Sequence, residues 1–326
     1  MKALVYEGVE TLVMRDVPKP VPGPGQSLVR IKSSGICGAD MHAYLGHDDR
    51  RPAPLILGHE AAGLIEGGAR HGTRVTINPL VSSGTSTACL AGRENLCPER
   101  MIISMPPREG AFAQYVVMRD ENLIDVPDDV PLDKAALAEP LSVSWHSARL
   151  GLAALDRALG QNALIVGGGA IGLAAALALK AQGLEDVTIA EPNDARRAFL
   201  RDDCNQHAVP SGEGPYAMVI DAVGYAATRA IASALCAPGG VIVHIGLGED
   251  TGGLDIRRMT LQEITFIGTY AYTPADFRDT CAAIFDGSLG PLDWTATRPL
   301  ANGADAFAQI RAGAIAAPKT ILHPWS

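Results

Sequence analysis

The sequence predicts an α/β fold in which a doubly wound parallel sheet follows a separate β-rich domain. In the middle of the chain, a short apolar strand, a glycine-rich turn and an apolar helix occur in succession, and a second strand follows. Before them, short strand-like segments alternate with loops that contain proline and glycine. The chain has 326 residues, which is enough for two domains that each bury a core.

The glycine-rich turn is the centre of the parallel-sheet domain. Ala163–Val166 precedes a G-x-G-x-x-G pattern at Gly167, Gly169 and Gly172. Glycines at this spacing permit a tight turn, close approach of the backbone to a pyrophosphate, and close helix–strand packing. The amides at the start of the next helix attract phosphate. An ordinary glycine-rich turn is the alternative, but the full strand–turn–helix–strand pattern favours a bound dinucleotide.

The acid at the end of the second strand indicates which dinucleotide binds. Val187–Ala190 is followed by Glu191, whose carboxylate could accept hydrogen bonds from both ribose hydroxyls and would repel a 2′-phosphate. NAD is therefore expected, and NADP is the alternative because Arg196 and Arg197 could bind that phosphate. The expected cofactor contacts are Gly167, Gly169, Ala170, Ile171, Gly172, Glu191, Arg196, Val223 and Ile245.

Composition excludes several classes of protein. The chain is 47% hydrophobic and 19% charged, which is typical of a globular protein rather than a disordered one. Its most apolar run, 163–179, is interrupted by glycines and is short for a membrane span. The net charge of −9 argues against nucleic acid as the main partner. The six cysteines form no disulfide-like framework, which predicts a cytoplasmic protein whose cysteines bind metal or react.

Segment patterns divide the chain at two points. Residues 1–144 hold strand-like segments at Ala3–Tyr6, Leu28–Lys32, Thr73–Ile77 and Ala111–Met118, and a helix is expected at Ala135–Leu150. Residues 145–275 alternate strands and helices, including a helix at Ala226–Cys236 that Pro238-Gly-Gly is expected to close. The stretch from Arg201 to Met218 is short and polar, so it is expected to be little more than a loop. Residues 276–326 hold two helices and a final strand, Lys319–Leu322.

A possible metal site lies in the first segment. A catalytic zinc takes three protein ligands of the Cys, His or carboxylate type and keeps one position open. Cys37, His59 and a carboxylate at Glu60 or Glu139 could supply that set. The alternative is a buried free cysteine, a loop histidine and two surface carboxylates.

Five motifs resemble the zinc-containing medium-chain alcohol dehydrogenase superfamily, in particular its polyol, sugar-acid and threonine dehydrogenase branch. They are G-I-C-G-x-D-x-H at 35–42, L-G-H-E-A-A-G at 57–63, A-E-P-L-S-V at 138–143, G-G-G-A-I-G at 167–172 and A-E-P at 190–192. The resemblance implies a GroES-like (chaperonin-10-like) catalytic domain that the C-terminal segment 276–326 completes. It also implies a Rossmann domain between those two parts.

The resemblance also implies a role for each matching residue. Cys37 and His59 resemble the fixed zinc ligands, and Glu60 resembles the neighbouring carboxylate that binds the metal or moves away. Glu139 stands where this branch has a glutamate that binds zinc directly or through water. Asp40 resembles the acceptor that orients the ligand histidine, although a turn cap is an equally good interpretation of it. In this family a zinc-polarised alcohol transfers hydride to the nicotinamide.

The sequence departs from the family in two places near the expected substrate. Ala39 stands where relatives often have the Ser or Thr that starts a proton relay, so the proton must leave by another route, for example through Glu139 or His42. Ala271 precedes Tyr272 where the polyol branch often has Arg. Tyr272 is expected to reach the substrate, and packing at a strand end is the alternative role for it.

A third departure concerns a second metal site. Relatives commonly have four cysteines that enclose a structural zinc, and this chain has Ser83, Ser86, Cys89 and Cys97 at those positions. Neutral hydroxyls are poor replacements for thiolates. One zinc ion per chain, at the catalytic site, is therefore expected.

The resulting interpretation is an NAD- and zinc-dependent dehydrogenase for a secondary alcohol of a polyol, sugar acid or similar small molecule. A homodimer or homotetramer is expected. A dehydrogenase or reductase for more apolar alcohols or ketones is the first alternative. A metal-free nucleotide-binding protein without dehydrogenase activity is the second.

Overall fold

The computed structural model describes residues 1–326, and the chain forms two compact units. Unit 1 comprises Met1–Pro140, Thr273–Asp286 and Thr295–Ser326, and unit 2 comprises Leu141–Tyr272 and Gly287–Trp294. The predicted domain boundaries after residues 144 and 275 stay a prediction. None of the helices combines the length and the apolar character needed to cross a membrane.

The regular elements alternate along the whole chain. The strands are β1 (Lys2–Gly8), β2 (Thr11–Asp16), β3 (Gln26–Gly35), β4 (Leu55–Ile56), β5 (Glu60–Glu66), β6 (Arg74–Ile77), β7 (Leu80–Val81), β8 (Met101–Ile102), β9 (Tyr115–Arg119), β10 (Leu123–Asp125), β11 (Asn162–Val166), β12 (Asp186–Ala190), β13 (Ala208–Val209), β14 (Tyr216–Asp221), β15 (Cys236–His244), β16 (Thr265–Gly268), β17 (Thr295–Pro299) and β18 (Lys319–His323). The helices are α1 (Gly38–Tyr44), α2 (Thr87–Leu90), α3 (Leu132–Ala135), α4 (Ala138–Ala154), α5 (Ala170–Ala181), α6 (Asp194–Asp202), α7 (Ala226–Leu235), α8 (Ile256–Leu261), α9 (Pro274–Phe285) and α10 (Gly303–Arg311). Three short 3-10 helices span Glu94–Leu96, Asp120–Asn122 and Leu300–Asn302.

Unit 1 is built on a sheet in the order β10-β6-β5-β3-β18-β17, with β9 also paired to β3. Smaller sheets pair β2-β1-β4 and β7-β8. One apolar core lies between β3, β5, β6 and β9 and includes Val29, Ile65 and Val75. Because β18 pairs antiparallel with β3, the C-terminal segment lies directly beside the strand that leads to Cys37.

Unit 2 is a six-stranded parallel sheet in the order β13-β12-β11-β14-β15-β16. This order reverses direction between β11 and β14, which is the arrangement of the doubly wound dinucleotide-binding fold. Strand β11 is buried along Ala163–Val166, as its uninterrupted apolar sequence requires. The predicted Rossmann fold of this part of the chain is thus confirmed.

Some local predictions were wrong. Strand β9 begins at Tyr115, so the first part of Ala111–Met118 is not a strand. The helix expected at Ala135–Leu150 is two helices, α3 and α4. Helix α7 ends at Leu235, and Pro238-Gly-Gly lies inside β15, where the register to β14 is irregular because several residues bulge out. The stretch from Arg201 to Met218, by contrast, is little more than a loop as expected, since before β14 it contains only the two-residue strand β13, which extends the sheet beyond β12.

Candidate metal centre and dinucleotide site

Three side chains of unit 1 converge at the start of β5 and α1. The ligand atoms of Cys37, His59 and Glu60 all lie within 4.8 Å of one another. Strand pairing explains the convergence, since Gly35 at the end of β3 is opposite Glu60 at the start of β5. Cys37 follows two residues later as the N-cap of α1. The pairing of β3 with β5 therefore brings one thiol, one imidazole and one carboxylate into a compact cluster.

Asp40 accepts hydrogen bonds from the backbone at Cys37 and next to His59. Its Oδ2 accepts a hydrogen bond from the amide of Cys37 at 2.9 Å, and its Oδ1 accepts one from the amide of Gly58 at 3.1 Å. The same Oδ1 lies 3.5 Å from Nδ1 of His59. Asp40 therefore combines the two alternatives, because it caps α1 and also faces the imidazole. Burial opposes the charged form of Asp40, but the cations around it outweigh burial and lower its pKa.

Ser104 is a member of this site that the sequence did not reveal. It is fully buried, and its Oγ lies 3.3 Å from Nδ1 of His59. Its backbone has φ +69°, a left-handed conformation that non-glycine residues seldom adopt. The carbonyl of Ser104 accepts a hydrogen bond from Nε of the buried Arg51 at 3.1 Å. A lone serine in a loop carries no sequence signal of such a contact.

A buried ion pair joins Glu60 to the last strand of the chain. Nζ of Lys319, on β18, donates to Oε1 of Glu60 at 2.6 Å and to the carbonyl of Ile36 at 3.0 Å. The side chains of Lys319 and Glu60 are 3% and 0% exposed, so both charges are removed from water. Burial opposes the charged form of Lys319, but the negative charges of Glu60 and Cys37 outweigh burial and raise its pKa.

The second carboxylate oxygen of Glu60 tests whether the cluster suits a cation. Oε2 is buried and has no hydrogen-bond partner. A Cβ at Gly35 would lie 2.1 Å from it, so only glycine leaves room for the carboxylate there. A buried acceptor without a donor is costly unless it meets a cation. Thiolate, imidazole and carboxylate are also the donors that zinc prefers. The residues present therefore fit a zinc ion.

The other expected participants are placed as follows. Glu139 lies in the first turn of α4 and is 9% exposed, but it is not one of the three residues whose ligand atoms meet within 4.8 Å. His42 lies on α1 and is exposed, with its ring 6.5 Å from that of His47. Tyr272 belongs to unit 2 and is 1% exposed, so its side chain is packed. The roles of these three residues in catalysis stay predictions.

The second cluster of unit 1 lies at the start of α2. Oγ of Ser83 is 3.4 Å from Sγ of Cys97, and Oγ of Ser86 donates to Sγ of Cys89 at 3.1 Å. Ser86 also caps α2 by accepting the amide of Cys89 at 3.2 Å. Hydrogen bonds from Ser83 and Ser86 lower the pKa of Cys97 to about 6. The four positions thus stay together through contacts between hydroxyls and thiols.

In unit 2, the expected cofactor contacts follow the carboxyl ends of neighbouring parallel strands. Gly167 follows β11, Glu191 follows β12, Val223 comes shortly after β14, and Ile245 follows β15. Carboxyl ends of parallel strands next to a reversal of strand order form the usual dinucleotide crevice. The sheet therefore brings these residues to one edge.

The turn itself has the geometry that its glycines predict. Gly167 has φ +96°, and a Cβ at Gly172 would lie 1.8 Å from the carbonyl oxygen of Gly167. Gly169 caps α5, whose first residues are Ala170 and Ile171. The free amides at this helix start can receive a pyrophosphate.

Glu191 is buried and held in place at that edge. Its Oε2 accepts the amide of Gly168 at 2.9 Å, and its Oε1 accepts the amide of Asn193 at 2.8 Å. Nη1 of Arg196 lies 3.6 Å from Oε2, and Nε of Arg196 has no hydrogen-bond partner. Arg197 is engaged elsewhere, because it donates to the carbonyls of Glu191 and Pro192. Arg196 therefore keeps a buried donor that has no partner.

Comparison with known proteins finds two family models in different parts of the chain. The family model "Alcohol dehydrogenase GroES-like domain" matches residues 23–128, and the model "Zinc-binding dehydrogenase" matches residues 170–286. L-galactonate-5-dehydrogenase of Escherichia coli K12 is 31% identical over 308 residues, which cover 89% of this chain and 88% of that protein. Sorbitol dehydrogenase of Ovis aries is 29% identical over 293 residues, which cover 83% and 82% of the two chains.

Solved structures agree with these matches. An alcohol dehydrogenase from Escherichia coli CFT073, solved with NADH, has a TM-score of 0.88 and 25% identity, and the match covers 99% of each chain. A protein of Sinorhizobium meliloti 1021 described as a zinc-binding dehydrogenase, solved with NADP, also has a TM-score of 0.88, with 26% identity and 99% coverage of each chain.

Fold and site together define a class, the zinc-dependent oxidoreductases that use a nicotinamide dinucleotide. A GroES-like unit holds the metal ligands in these enzymes, and a Rossmann unit holds the dinucleotide. Within that class, this chain belongs to the zinc-containing medium-chain alcohol dehydrogenase superfamily, in its polyol dehydrogenase branch. The predicted family, fold class and enzyme type are therefore confirmed.

Proposed function

We propose that this enzyme interconverts a secondary alcohol of a small polyol or sugar acid and the corresponding ketone, with NAD as the hydride carrier. The cluster of Cys37, His59 and Glu60 with its unpartnered carboxylate oxygen is the observation that carries the proposal. The substrate class rests on the relatives, two of which act on L-galactonate and sorbitol by their names.

Cys37 and His59 are proposed to hold the metal, and Asp40 to orient His59. A ligating imidazole usually donates its other N–H to such an acceptor, which fixes the ring and its tautomer. When bound, zinc would polarise the alcohol oxygen and lower its pKa, and the dinucleotide would accept the hydride. Glu60 balances the positive charge of Lys319 beside the metal position. Because Ala39 has no hydroxyl, a proton route through His42 or Glu139 stays a prediction.

The preference for NAD rests on Glu191. Two backbone amides hold its carboxylate at the end of β12, where a ribose hydroxyl is expected. A 2′-phosphate at the same place would meet this negative charge. The unused Nε of Arg196 is the feature that favours NADP instead.

A substrate screen tests the proposed reaction. Zinc-replete protein is mixed with NAD and, in separate assays, with polyols, sugar acids and simple alcohols, while NADH absorbance is followed. Turnover of a polyol or sugar acid is expected, and Cys37→Ser serves as the inactive control. Turnover of apolar alcohols alone would contradict the substrate class. That outcome would favour the second candidate, which Ala271 supports because the polyol branch often has Arg there.

The ratio of kcat/KM for NAD and NADP tests the cofactor assignment. The wild-type enzyme is expected to prefer NAD, and Glu191→Ala is expected to narrow the gap. Arg196→Ala is the matched comparison and should leave the preference for NAD in place. A wild-type preference for NADP that Arg196→Ala removes would overturn the assignment.

A homodimer or homotetramer and a cytoplasmic location also belong to this proposal. Strand β16 is the last strand of its sheet, and its free edge carries Phe266, which is 39% exposed. A second copy of the chain could pair with that edge. Sedimentation analysis tests the oligomeric state, and a monomer at all concentrations would contradict it.

The cytoplasmic location rests on the cysteines. All six cysteines are free thiols, and Cys37 must stay reduced to bind metal, which suits the cytoplasm.

A further inference from the structure

Arg229 is a buried cation of unit 2 to which the sequence assigned no role. It lies on α7 and is 6% exposed. A buried arginine is rare unless its charge is paired or its donors are satisfied. The guanidinium carries five N–H donors in a planar fork, so the groups that accept from it show what it holds together.

The guanidinium of Arg229 donates to four backbone carbonyls. Nε donates to the carbonyl of Gly252 at 2.6 Å. Nη1 donates to the carbonyls of Gly224 at 2.8 Å and Glu249 at 3.0 Å, and Nη2 donates to the carbonyl of Thr251. Three of these carbonyls belong to the loop after β15, and the fourth belongs to the turn after β14. Arg229 therefore joins two segments that follow neighbouring strands of the parallel sheet.

The loop after β15, residues 245–255, packs closely on the turn after β14. The amide of Glu249 donates to the carbonyl of Gly224 at 2.9 Å, and this carbonyl also accepts from Arg229. A Cβ at Gly224 would lie 2.2 Å from a carbonyl oxygen of the loop, so only glycine permits this approach. The two segments thus form one packed unit, with the guanidinium bonded to both.

This packed unit carries two of the expected dinucleotide contacts. Val223 lies in the turn after β14, and Ile245 begins the loop after β15. Val223 also lies against the glycine-rich turn, since a Cβ at Gly167 would be 2.3 Å from its Cγ2. A displaced loop would therefore change the surface that the dinucleotide meets. A loop that is held in place before binding also loses less entropy when the ligand binds.

We propose that Arg229 is a positioning residue of the dinucleotide site, which holds the loop after β15 against the turn after β14 before the dinucleotide binds. The proposal rests on the dinucleotide site of unit 2 and applies to NAD and NADP alike. It assigns Arg229 no contact with the dinucleotide. The competing explanation is a purely structural one, in which Arg229 stabilises unit 2 without any effect on binding.

Fluorescence titration with NADH separates the two explanations, because it measures binding without turnover. Arg229→Met removes all the donors, and Arg229→Lys keeps the charge but loses the planar fork. Arg258→Met is the matched control, since Arg258 is a partly buried arginine that donates to the carbonyl of Cys236 at the other end of β15. Each titration is made well below the melting temperature of the protein, so that every variant is folded.

We expect Arg229→Met to raise the Kd for NADH about tenfold or more, because the carbonyls of the loop lose a charged donor. Arg229→Lys should lie between this variant and the wild type, since an ammonium has fewer donors to share among four carbonyls. Arg258→Met should keep the wild-type Kd, even if its melting temperature falls. An Arg229→Met protein with a lower melting temperature and an unchanged Kd would overturn the proposal.

Hydrogen–deuterium exchange of the wild type keeps the proposal testable if Arg229→Met does not fold. Without dinucleotide, the amide of Glu249 should already exchange at least about tenfold more slowly than in an unstructured peptide. Exchange at the unstructured rate that slows only when NADH is added would mean that the dinucleotide orders the loop, and the proposal would be wrong. Failure of the proposed preference for NAD looks different. In that case the wild type would bind NADPH more tightly than NADH, and Arg229→Met would weaken the binding of both.

Discussion

The two cysteine-containing clusters of unit 1 differ in what completes them. In the first cluster, Cys37, His59 and Glu60 meet within 4.8 Å, and one carboxylate oxygen stays without a partner. In the second, hydroxyls of Ser83 and Ser86 contact the sulfur atoms of Cys97 and Cys89. Both lie at the start of a short helix, where a polar side chain three residues from a cysteine provides the cap. The first cluster leaves a buried acceptor without a partner, whereas the second pairs its hydroxyls with its thiols.

The comparison separates two properties that one motif usually joins, namely a chain path and a metal site. The lobe around α2 keeps its four positions together without four thiolates, because hydrogen bonds and the packing of the buried Cys89 and Cys97 hold it. Convergence of side chains alone does not identify a zinc site, because neutral hydroxyls are poor zinc ligands. Donor charge and an unsatisfied buried acceptor are stronger evidence.

Removing the thiol of each cluster in turn should give the largest difference. Cys37→Ser is expected to lower kcat/KM by at least about 10³-fold, because metal catalysis supplies several kcal/mol of charge stabilisation. Dinucleotide binding should survive, since unit 2 supplies it. Cys89→Ser in the second cluster should leave turnover nearly unchanged. Steady-state kinetics and fluorescence titration with NADH measure both effects, and equal losses in the two variants would remove the distinction between the clusters.

Changing the residue that supports the imidazole should have a smaller effect. Asp40→Asn keeps the size of the side chain but removes the negative charge that faces Nδ1 of His59. Loss of such a supporting partner typically costs 10–100-fold in metal affinity or activity. Competition with a chromophoric chelator measures the zinc affinity. Asp276→Asn is the matched control, because that buried carboxylate caps α9 by accepting the amide of Thr273. An unchanged affinity in Asp40→Asn would restrict Asp40 to capping α1.

Adding thiols to the second cluster should convert it into a metal site. In Ser83→Cys/Ser86→Cys, four thiolates would occupy positions that already converge, which is the donor set of a closed structural zinc. Zinc content is expected to rise from one ion to two per chain, and the melting temperature should rise with it. Elemental analysis of metal-replete protein checks this. Two zinc ions in the wild type, with one retained in Cys37→Ser, would contradict the premise that the natural cluster is complete without metal.

The hydroxyl–thiol contacts should also produce a pH dependence of stability. Ser83 and Ser86 lower the pKa of Cys97 to about 6, below the roughly 8.5 of an unfolded cysteine. Between these two pH values the folded state binds fewer protons than the unfolded state, so the unfolding free energy should rise with pH over that range. The contribution is fully present above the unfolded pKa and is lost as the pH falls through about 6. Ser83→Ala should flatten this rise, and Thr87→Ala, at an exposed position of α2, should not. Urea denaturation under reducing conditions at several pH values measures it.

Local patterns predicted most of the fold. The apolar run of β11, the glycine spacing and the acid at Glu191 each depend only on neighbouring residues. The run is a buried strand, the glycines form the turn before α5, and Glu191 follows β12. Two features that depend on tertiary pairing were not predicted, namely the two-residue strand β13 and the bulge around Pro238. Neither has a pattern of its own, because each exists only through its neighbour in the sheet.

The same contrast between local patterns and long-range contacts explains which residues of the candidate site were predicted from the sequence. Cys37, Asp40 and His59 belong to dense motifs, so sequence could identify them. Ser104 and Lys319 reach the site through contacts that span 45 and 259 residues along the chain. At the start of β18, a single lysine before an apolar strand looks like a solvated flank. Only the pairing of β18 with β3 reveals that this lysine is buried.

The separation between Glu60 and Lys319 has a consequence for biosynthesis. The ribosome makes the metal ligands of unit 1 early, whereas the cation that pairs with Glu60 comes 259 residues later. At ~5–20 residues per second this interval is on the order of 10–50 s. During that time the nascent chain carries the thiol, the imidazole and the carboxylate of the cluster without the lysine that pairs with Glu60. The ion pair between Glu60 and Lys319 can therefore form only after unit 2 has been synthesised.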